Sequence, residues 1–259
     1  MDHIICTLDL TNCIFPSMPQ FGLLGKSLQH SFSKSYFEEK WLQEGLSNHE
    51  YRLIEWDPGK DLKAFFESNS QLQGLNVTVP YKSMVIPYLD ELTPEAQLIG
   101  AVNCIKHSQD RWIGHNTDSL AFLNSLASWL PPGFNALALV CGTGGASKAV
   151  QQALNCLKIG FSCVSSSGKG ISYGHLQELW DPDWKLIINT TPLGMYPDLD
   201  SKPEIPYQKL DSSFLLYDLV YNPEKSLFLR LGANQGARVK NGLEMLHLQA
   251  DLSWQFWNQ

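Results

Sequence analysis

The stretch from Gly74 to Ile105 combines apolar positions with polar side chains that could bind a small molecule. Asn76 and Thr78 alternate with apolar residues, as expected for one face of a strand that ends before Pro80. Because proline is favoured at the first helical position, we expect Pro80 to open a helix with Lys82 in its first turn, where the helix dipole disfavours a cation. A lysine at such an unfavourable position is more typical of a binding site than of a purely structural helix start. The alternative is an ordinary polar strand face followed by a surface lysine.

A glycine-rich loop, Cys141 to Ser147 (CGTGGAS), follows an apolar strand and precedes a helix. In dinucleotide-binding proteins, the backbone amides and helix dipole of such a loop hold a pyrophosphate. An NAD site usually has an acidic residue about 20 residues further on, to bind the ribose hydroxyls. This chain has Ser166, Ser167 and Lys169 there. Hydroxyls and a lysine could accept a 2′-phosphate, which favours NADP over NAD, although an ordinary serine-rich loop would explain these residues equally well.

Several other polar residues could belong either to a site or to the fold. His115 to Asp118 (HNTD) leads into a helix, so one of its side chains could simply be the N-cap. His30 lies in a serine-rich loop, whereas Asn103 and Gln249 lie on elements with apolar neighbours. For each of them, a role in binding or catalysis competes with ordinary hydrogen bonding inside the fold.

An alternation of strands and helices would position these residues. The predicted strands are residues 21–25, 51–55, 75–79, 136–141, 161–164, 186–189 and 214–219. Residues 102–106 and 111–114 flank turn residues and are predicted to form a hairpin at the edge of the first sheet. The linker Pro131-Pro132-Gly133 separates two such series, and residues 244–257 form a final amphipathic helix. The alternation favours largely parallel, two-sided sheets.

Composition excludes several classes of protein. The 259 residues are 44% hydrophobic and 17% charged, enough for one large or two modest globular domains. A formal net charge of -7 argues against a nucleic-acid partner. No apolar run approaches the roughly 20 residues that span a bilayer, and the first residues lack the basic segment of a signal peptide; we therefore expect no membrane association and a cytoplasmic location. The six cysteines and seven histidines form no metal-binding pattern, so no metal is expected.

The first 17 residues lack the periodicity of the rest of the chain. We interpret residues 1–17 as an N-terminal extension and regard Met18 as a hypothetical physiological start.

Eight segments, taken together, resemble the shikimate/quinate dehydrogenase family, in the same order and over residues 21–250. They are HSFS (30–33), GLNVTVPYK (74–82), GAVN (100–103), NTD (116–118), GTGGA (142–146), NTTPLGM (189–195), VYNP (220–223) and NGLEMLHLQA (241–250). The resemblance implies an α/β protein of two domains with the active site between them. One is a substrate-binding catalytic domain of residues 18–118 and 239–259, with a mainly parallel sheet to which the C-terminal helix returns. The other is a Rossmann NADP-binding domain of residues 119–238.

The activity implied by the resemblance is the reversible, NADP-dependent reduction of 3-dehydroshikimate to shikimate in chorismate and aromatic amino-acid biosynthesis. Lys82 and Asp118 are the implied catalytic pair: a cationic lysine can stabilise or protonate the oxygen of the reacting ketone. The implied ligands of the substrate carboxylate are Ser31, Ser33 and Tyr221, and those of the ring hydroxyls are Asn76, Thr78, Asn103, Asp118 and Gln249. The implied cofactor positions are Gly142, Gly144, Gly145 and Ala146 at the pyrophosphate, and Thr190, Leu193, Met195 and Gly242 on the nicotinamide side.

One departure from the family concerns the cofactor. Many members have an Asn-Arg-Thr motif and a further arginine after the second Rossmann strand, where this chain has Ser165 to Ser167 and Gly170. Lys169 would supply only a point charge in place of bidentate phosphate recognition, so use of NAD stays open.

Two alternative functions are compatible with these residues: an NAD-dependent quinate/shikimate dehydrogenase, and a non-catalytic sensor of a shikimate-like ligand. The presence of Lys82 and Asp118 argues against the sensor. A Rossmann domain of another amino-acid or folate dehydrogenase would leave the NVTVPYK and GAVN segments unexplained. Monomer and homodimer are both compatible with the sequence.

Overall fold

The computed structural model describes residues 18–29 and 31–259, which build two β-sheets and the helices around them. The predicted extension (1–17) and His30 lie outside the described residues. The elements up to the second strand series are β1 Gln20–Gly25, α1 Ser33–Gln43, β2 Glu50–Glu55, α2 Leu62–Ser68, β3 Leu72–Val77, β4 Glu91–Leu92, α3 Pro94–Ile99, β5 Cys104–Ser108 and β6 Arg111–His115. The later elements are α4 Asp118–Trp129, β7 Leu137–Cys141, α5 Gly145–Cys156, β8 Phe161–Val164, β9 Trp184–Asn189, β10 Leu215–Asp218, α6 Leu227–Asn234, β11 Arg238–Lys240 and α7 Leu243–Trp257.

The first sheet has the strand order β2-β1-β3-β5-β6-β4. Strand β1 is parallel to β2 and β3, and β4 is parallel to β6, whereas β5 is antiparallel to both of its neighbours. The predicted hairpin is β5–β6, whose two-residue loop, Gln109-Asp110, has positive φ angles of 53° and 58°, as a type I′ turn requires.

The prediction that this hairpin lies at the edge of the sheet is wrong. The backbone N–H groups of Asp90 and Thr93 donate to the carbonyls of Trp112 and Gly114, so the chain that enters α3 covers the open side of β6. A strand edge without such a partner would leave backbone groups unpaired.

The second sheet has the order β11-β10-β9-β7-β8, and all of its strands are parallel. The chain passes from β7 to β8 on one side and then to β9 on the other side of β7. Ligands of such sheets bind in the crevice outside the carboxyl ends of the strands, where the direction of winding reverses. Strand β11 extends the second sheet to Lys240, past the predicted boundary at 238/239.

Helix α7 leaves the second sheet and packs on the first. The ring of Trp257 lies so close to Gly74 of β3 that a Cβ there would be 2.5 Å from it, and its Nε1 donates to the carbonyl of Ile105 at 3.0 Å. Phe21 of β1 packs against the same ring. The C-terminal helix therefore completes the first sheet. Among the described residues, no helix is both long and apolar enough to cross a membrane.

Candidate active site

Lys82 lies in a series of turns between β3 and a short 3-10 helix, Ile86–Tyr88. The predicted helix opening at Pro80 is therefore wrong. Its physical reason is that the carbonyl of Lys82 accepts a hydrogen bond from the N–H of Val102 at 2.6 Å instead of pairing within a helix. The turns place Tyr81 and Val85 in the core and direct Lys82 toward the end of the sheet.

Lys82 and Asp118 form an ion pair in which Nζ lies 2.6 Å from Oδ2. Asp118 is the first residue of α4, just beyond the carboxyl end of β6, and its other oxygen accepts from Nδ2 of Asn103 at 2.9 Å. The side chains of Lys82 and Asp118 are only 15% and 7% exposed. An ammonium group so shielded from water interacts strongly with a negative charge that develops beside it.

A buried hydrogen-bond network extends from this ion pair to α7. Asn103 exchanges hydrogen bonds with Thr117, from Nδ2 to Oγ1 at 2.9 Å and from the N–H of Thr117 to Oδ1 at 2.7 Å. Oγ1 of Thr117 lies 3.3 Å from Oγ of Ser253, which accepts from Nδ2 of Asn76 at 2.9 Å. Oδ1 of Asn76 accepts from the hydroxyl of Tyr51 at 2.8 Å. The two predicted amides thus lie in one continuous polar network with the Lys82–Asp118 ion pair.

The HNTD motif serves the helix as well as the network. Oδ1 of Asn116 accepts from the N–H of Ser119 at 3.1 Å and so satisfies one donor of the first turn of α4. Thr117 occupies the N-cap position but makes no side-chain cap bond, and the carboxylate of Asp118 is directed to Lys82 and Asn103. Thr117 is therefore the N-cap by position, whereas the side-chain bond to the first turn comes from Asn116.

The three residues predicted to bind a carboxylate meet at the start of α1. Oγ of Ser31 accepts from the N–H of Ser33 at 3.3 Å, and the hydroxyl of Ser33 lies near that of Tyr51. The ring of Tyr221 packs edge-on against that of Phe32, and burial raises the pKa of its phenol. Ser31, Phe32 and Tyr221 line a cleft of about 530 Å³. The cleft is large enough for a small organic acid.

Thr78 and Gln249 are less closely tied to the network. Thr78 follows β3, is partly buried, and has its methyl group against Gly25. Nε2 of Gln249 donates to the carbonyl of Leu246 within α7 at 3.0 Å. The backbone carbonyl of Gln249 accepts from Ser253, so this residue reaches the network through its backbone.

The glycine loop lies between the end of β9 and Lys82. Gly142 has a φ of +110°, and a Cβ there would be 2.6 Å from Oγ1 of Thr190. A Cβ on Gly144 would meet nothing within 4 Å, so the surface above this residue is open. Gly145 begins α5, and a Cβ there would be 3.0 Å from Cβ of Lys82. The loop needs glycine for its conformation and for the close approach of its backbone to neighbours.

The helix N-terminus and the neighbouring hydroxyls form the rest of this surface. Ala146 lies partly exposed in the first turn of α5. Ser166, Ser167 and Lys169 are exposed. The hydroxyl of Ser167 lies 3.0 Å from that of Thr143, and this contact joins the serine-lysine loop to the glycine loop. Both loops thus face the crevice at the reversal of the second sheet.

The positions predicted on the nicotinamide side come from two segments. Thr190, Leu193 and Met195 lie in the loop that follows β9; Met195 is 43% exposed. Gly242 is the N-cap residue of α7 and is buried against the carbonyl of Leu219, which leaves no room for a side chain.

Sequence reasoning missed four residues of these networks. Tyr51 looked like a core residue of a strand, and Thr117 was considered only as a cap. Ser253 lies four residues after Gln249, so helical spacing could have placed it on the same face of α7. Asp218 is fully buried at the end of an apolar strand. An acidic residue at such a position indicates a functional or structural role, so the sequence did contain a signal for it.

Comparisons with known proteins agree with this arrangement. The family model for the shikimate dehydrogenase substrate binding domain matches residues 23–105. The shikimate dehydrogenase (NADP(+)) of Desulforamulus reducens is 35% identical over 264 residues, which cover 91% of this chain and 88% of that protein. The corresponding protein of Methanococcus maripaludis strain C6 is 33% identical and covers 91% of this chain and 90% of its own. The crystal structure of shikimate 5-dehydrogenase from Thermus thermophilus, in complex with NADP(H) and shikimate, has a TM-score of 0.81 at 29% identity and covers 93% of each chain. Given relatives that match along nearly the whole chain, this protein belongs to the shikimate dehydrogenase family.

Proposed function

We propose that this protein catalyses the reversible, NADP-dependent reduction of 3-dehydroshikimate to shikimate, a step of chorismate and aromatic amino-acid biosynthesis. The observation that carries the proposal is the position of the Lys82–Asp118 pair. It is shielded from water at the end of the first sheet, and Lys82 lies directly against Gly145 of the glycine loop. An acid/base pair next to a dinucleotide loop is what a dehydrogenase requires.

The residues of the crevice fit a dinucleotide. Gly142, Gly144, Gly145 and Ala146 would face the pyrophosphate with their backbone and with the N-terminus of α5, which attracts anions. Thr190, Leu193, Met195 and Gly242 would line the nicotinamide. When bound, NADPH supplies the hydride, and NADP⁺ accepts it in the reverse direction.

The substrate would lie between the cleft at α1 and the ion pair. Ser31, Ser33 and Tyr221 offer hydroxyl groups to its carboxylate at one end. At the other end, the ring hydroxyls would bind Asn76, Asn103 and Asp118 of the buried network, together with Thr78 and Gln249. The hydrogen bonds within the network hold these amides in fixed orientations before the substrate arrives, which lowers the cost of ordering them.

Lys82 acts at the reacting oxygen. As the ketone is reduced, negative charge builds on its oxygen, and the ammonium group of Lys82 stabilises that charge and donates a proton. Asp118 accepts from Lys82 and orients it, while Asn103 holds the second oxygen of Asp118. In the oxidation of shikimate, the proton of the alcohol passes to the Lys82–Asp118 pair as the hydride leaves.

Ser166, Ser167 and Lys169 would bind the 2′-phosphate of NADP. Their hydroxyl and ammonium groups are exposed beside the glycine loop, and both kinds of group bind phosphate. The absence of arginine from this loop is the observation that favours the alternative, an NAD-dependent shikimate/quinate dehydrogenase. A shikimate-like ligand sensor is the third candidate.

The deciding experiment is steady-state reduction of NADP and of NAD by the purified protein, with shikimate and with quinate as substrates. The proposed function requires shikimate turnover with NADP that is lost in Lys82→Met. Turnover confined to NAD or to quinate would instead support the alternative dehydrogenase. Ligand binding without turnover on any of the four combinations would support the sensor.

Three further features stay predictions. The first is the division into residues 18–118 with 239–259 and residues 119–238; the second sheet, which reaches Lys240, argues for moving the later boundary beyond that residue. The second is the cytoplasmic location, which fits a biosynthetic enzyme of small soluble metabolites. The third is the oligomeric state, for which gel filtration with light scattering would separate monomer from homodimer.

A further inference from the structure

Asp218, at the end of β10, is a buried carboxylate that the proposed catalytic residues do not include. It is fully buried and accepts three hydrogen bonds, from Nδ2 of Asn189 at 2.9 Å, from the N–H of Val220 at 3.0 Å, and from the hydroxyl of Ser226. Burial raises its pKa to about 7, although all three hydrogen bonds favour the ionised form. An ionised carboxylate only accepts hydrogen bonds, so it matches three donors.

Through Asn189, the carboxylate holds the loop on the nicotinamide side. Oδ1 of Asn189 accepts from the N–H of Thr191 at 3.0 Å and from its hydroxyl at 2.6 Å. Nδ2 of Asn189 reaches the carbonyl of Leu193 at 3.3 Å in addition to Asp218. The loop from 190 to 195 is therefore folded around one amide whose orientation is set by Asp218.

Through Val220, the same carboxylate holds a second segment. The carbonyl of Val220 accepts from the N–H of Gly242 at 3.2 Å, at the start of α7. The next residue is Tyr221, whose ring packs against that of Phe32 at the cleft proposed for the substrate carboxylate. One buried group thus contacts the nicotinamide-side loop and the segment that carries a substrate ligand.

We propose that Asp218 is a positioning residue that couples these two segments, so that the nicotinamide and the substrate are held at the distance that hydride transfer requires. This inference rests on the proposed function where it concerns hydride transfer, but the coupling itself is a property of the chain alone. Displacement of a reacting group by about 1 Å can cost a hundredfold in rate. A residue that fixes two sides of a site therefore acts on kcat more than on binding.

Three variants test the proposal. Asp218→Ala removes the acceptor from both segments. Asp218→Asn is the conservative variant: its oxygen can replace Oδ1, which binds both Asn189 and Val220, and its NH₂ can donate to Ser226. Ser226→Ala is the matched control, because it removes a buried hydrogen bond from the same carboxylate on the side of α6.

The first readout needs neither cofactor nor substrate. Hydrogen exchange followed by mass spectrometry should show residues 189–195 and 219–223 both exchanging roughly tenfold faster or more in Asp218→Ala. Ser226→Ala should accelerate exchange only near the start of α6. The second readout is the division between kcat and KM: kcat should fall about tenfold to a hundredfold in Asp218→Ala, with little change in the KM for NADP. Asp218→Asn should restore most of both.

Faster exchange in only one of the two segments, or equal effects of Ser226→Ala on both, would overturn the coupling, as would an unchanged kcat in an active enzyme.

If Asp218→Ala does not fold, Asn189→Ala replaces it, since it cuts the link to the loop and leaves the other two hydrogen bonds in place. It should then accelerate exchange of 189–195 and lower kcat, and the absence of both effects would overturn the proposal. A wild type without shikimate turnover refutes the proposed function, and hydrogen exchange then decides the coupling on its own.

Discussion

Replacing Lys82 by methionine should remove most of the turnover while the protein stays folded. Nζ of Lys82 lies 2.6 Å from Asp118, and the side chain is 15% exposed, so water has little access to replace it as a proton donor. A positioned general acid contributes about 10² to 10⁴ in rate, or roughly 3–5 kcal/mol of transition-state stabilisation. We expect kcat for shikimate oxidation to fall by that factor. The KM for NADP should change little, because the lost contact matters mainly in the transition state.

The same substitution should also lower the free energy of unfolding, and this effect must be measured separately from the loss of catalysis. Among the described residues, the side chains of Lys82 and Asn103 hydrogen-bond the carboxylate of Asp118, which is 7% exposed. Without Lys82, the bond from Asn103 is left. Leaving a buried charge without its ion pair costs about 3–5 kcal/mol; the bond from Asn103 and the residual exposure should reduce this to about 1–3 kcal/mol. Urea unfolding of both proteins measures the difference directly.

Lys40 of α1 provides a matched control, because it is not among the proposed site residues. It also lies in ion pairs, with Glu44 at 2.8 Å and Asp251 at 2.9 Å, and is 20% exposed. Lys40→Met should therefore lose stability and keep its kcat. A Lys82→Met enzyme with the kcat of the wild type would refute the catalytic assignment, and equal losses of kcat in both variants would assign the effect to stability.

Three other changes have defined outcomes. Lys169→Ala should lower kcat/KM for NADP by about tenfold and leave that for NAD nearly unchanged, since a single charge at the 2′-phosphate is lost; parallel losses with both cofactors would contradict this placement. Gly142→Ala should cost roughly 1–2 kcal/mol in urea unfolding because its φ of +110° disfavours a side chain, and should raise the KM for NADP. Burial raises the pKa of Asp218 from 3.8 to about 7, so the native state binds its proton more tightly than the unfolded chain does. The free energy of unfolding should therefore contain a term that falls by up to about 4 kcal/mol as the pH rises from about 4 to 7. That term should vanish in Asp218→Asn, whereas Cys141 and Tyr207 beside it stay neutral because burial raises the pKa of both groups.

The order of strands and helices could be predicted from periodicity because most strands are runs of buried apolar residues. Leu139 and Val140 of β7, both fully buried, show this. Strand β4, two residues long, and β11, three residues long and partly exposed, carry too little apolar pattern to be found. They form because neighbouring strands offer unpaired backbone groups. Which strands become neighbours depends on the tertiary structure, so these two strands could not be predicted from local sequence.

In the candidate site too, some features could be predicted from the sequence and others could not. The glycine loop and the HNTD segment could be located from the sequence because a special backbone conformation or a cap restricts the residue type. The helix predicted at Pro80 failed because the carbonyl of Lys82 is paired with Val102, which is remote in the sequence. That Ser253 bridges Asn76 and Thr117 could not be predicted either, since it requires the docking of α7 on the first sheet.

Helix α7 connects the segment after β10 to the first sheet. Its N-cap, Gly242, is fixed by the carbonyl of Val220 in the segment after β10, and its last residue, Trp257, is fixed on β3 and β5. Between these ends, Ser253 enters the network that leads to the Lys82–Asp118 ion pair. Helix α7 therefore links the segment after β10 to the first sheet, and its N-cap is joined through Val220 to Asp218. In the proposed function, this link would hold the nicotinamide side relative to the substrate residues. Loosening either end of α7 should change the geometry of hydride transfer before it changes the affinity for either ligand.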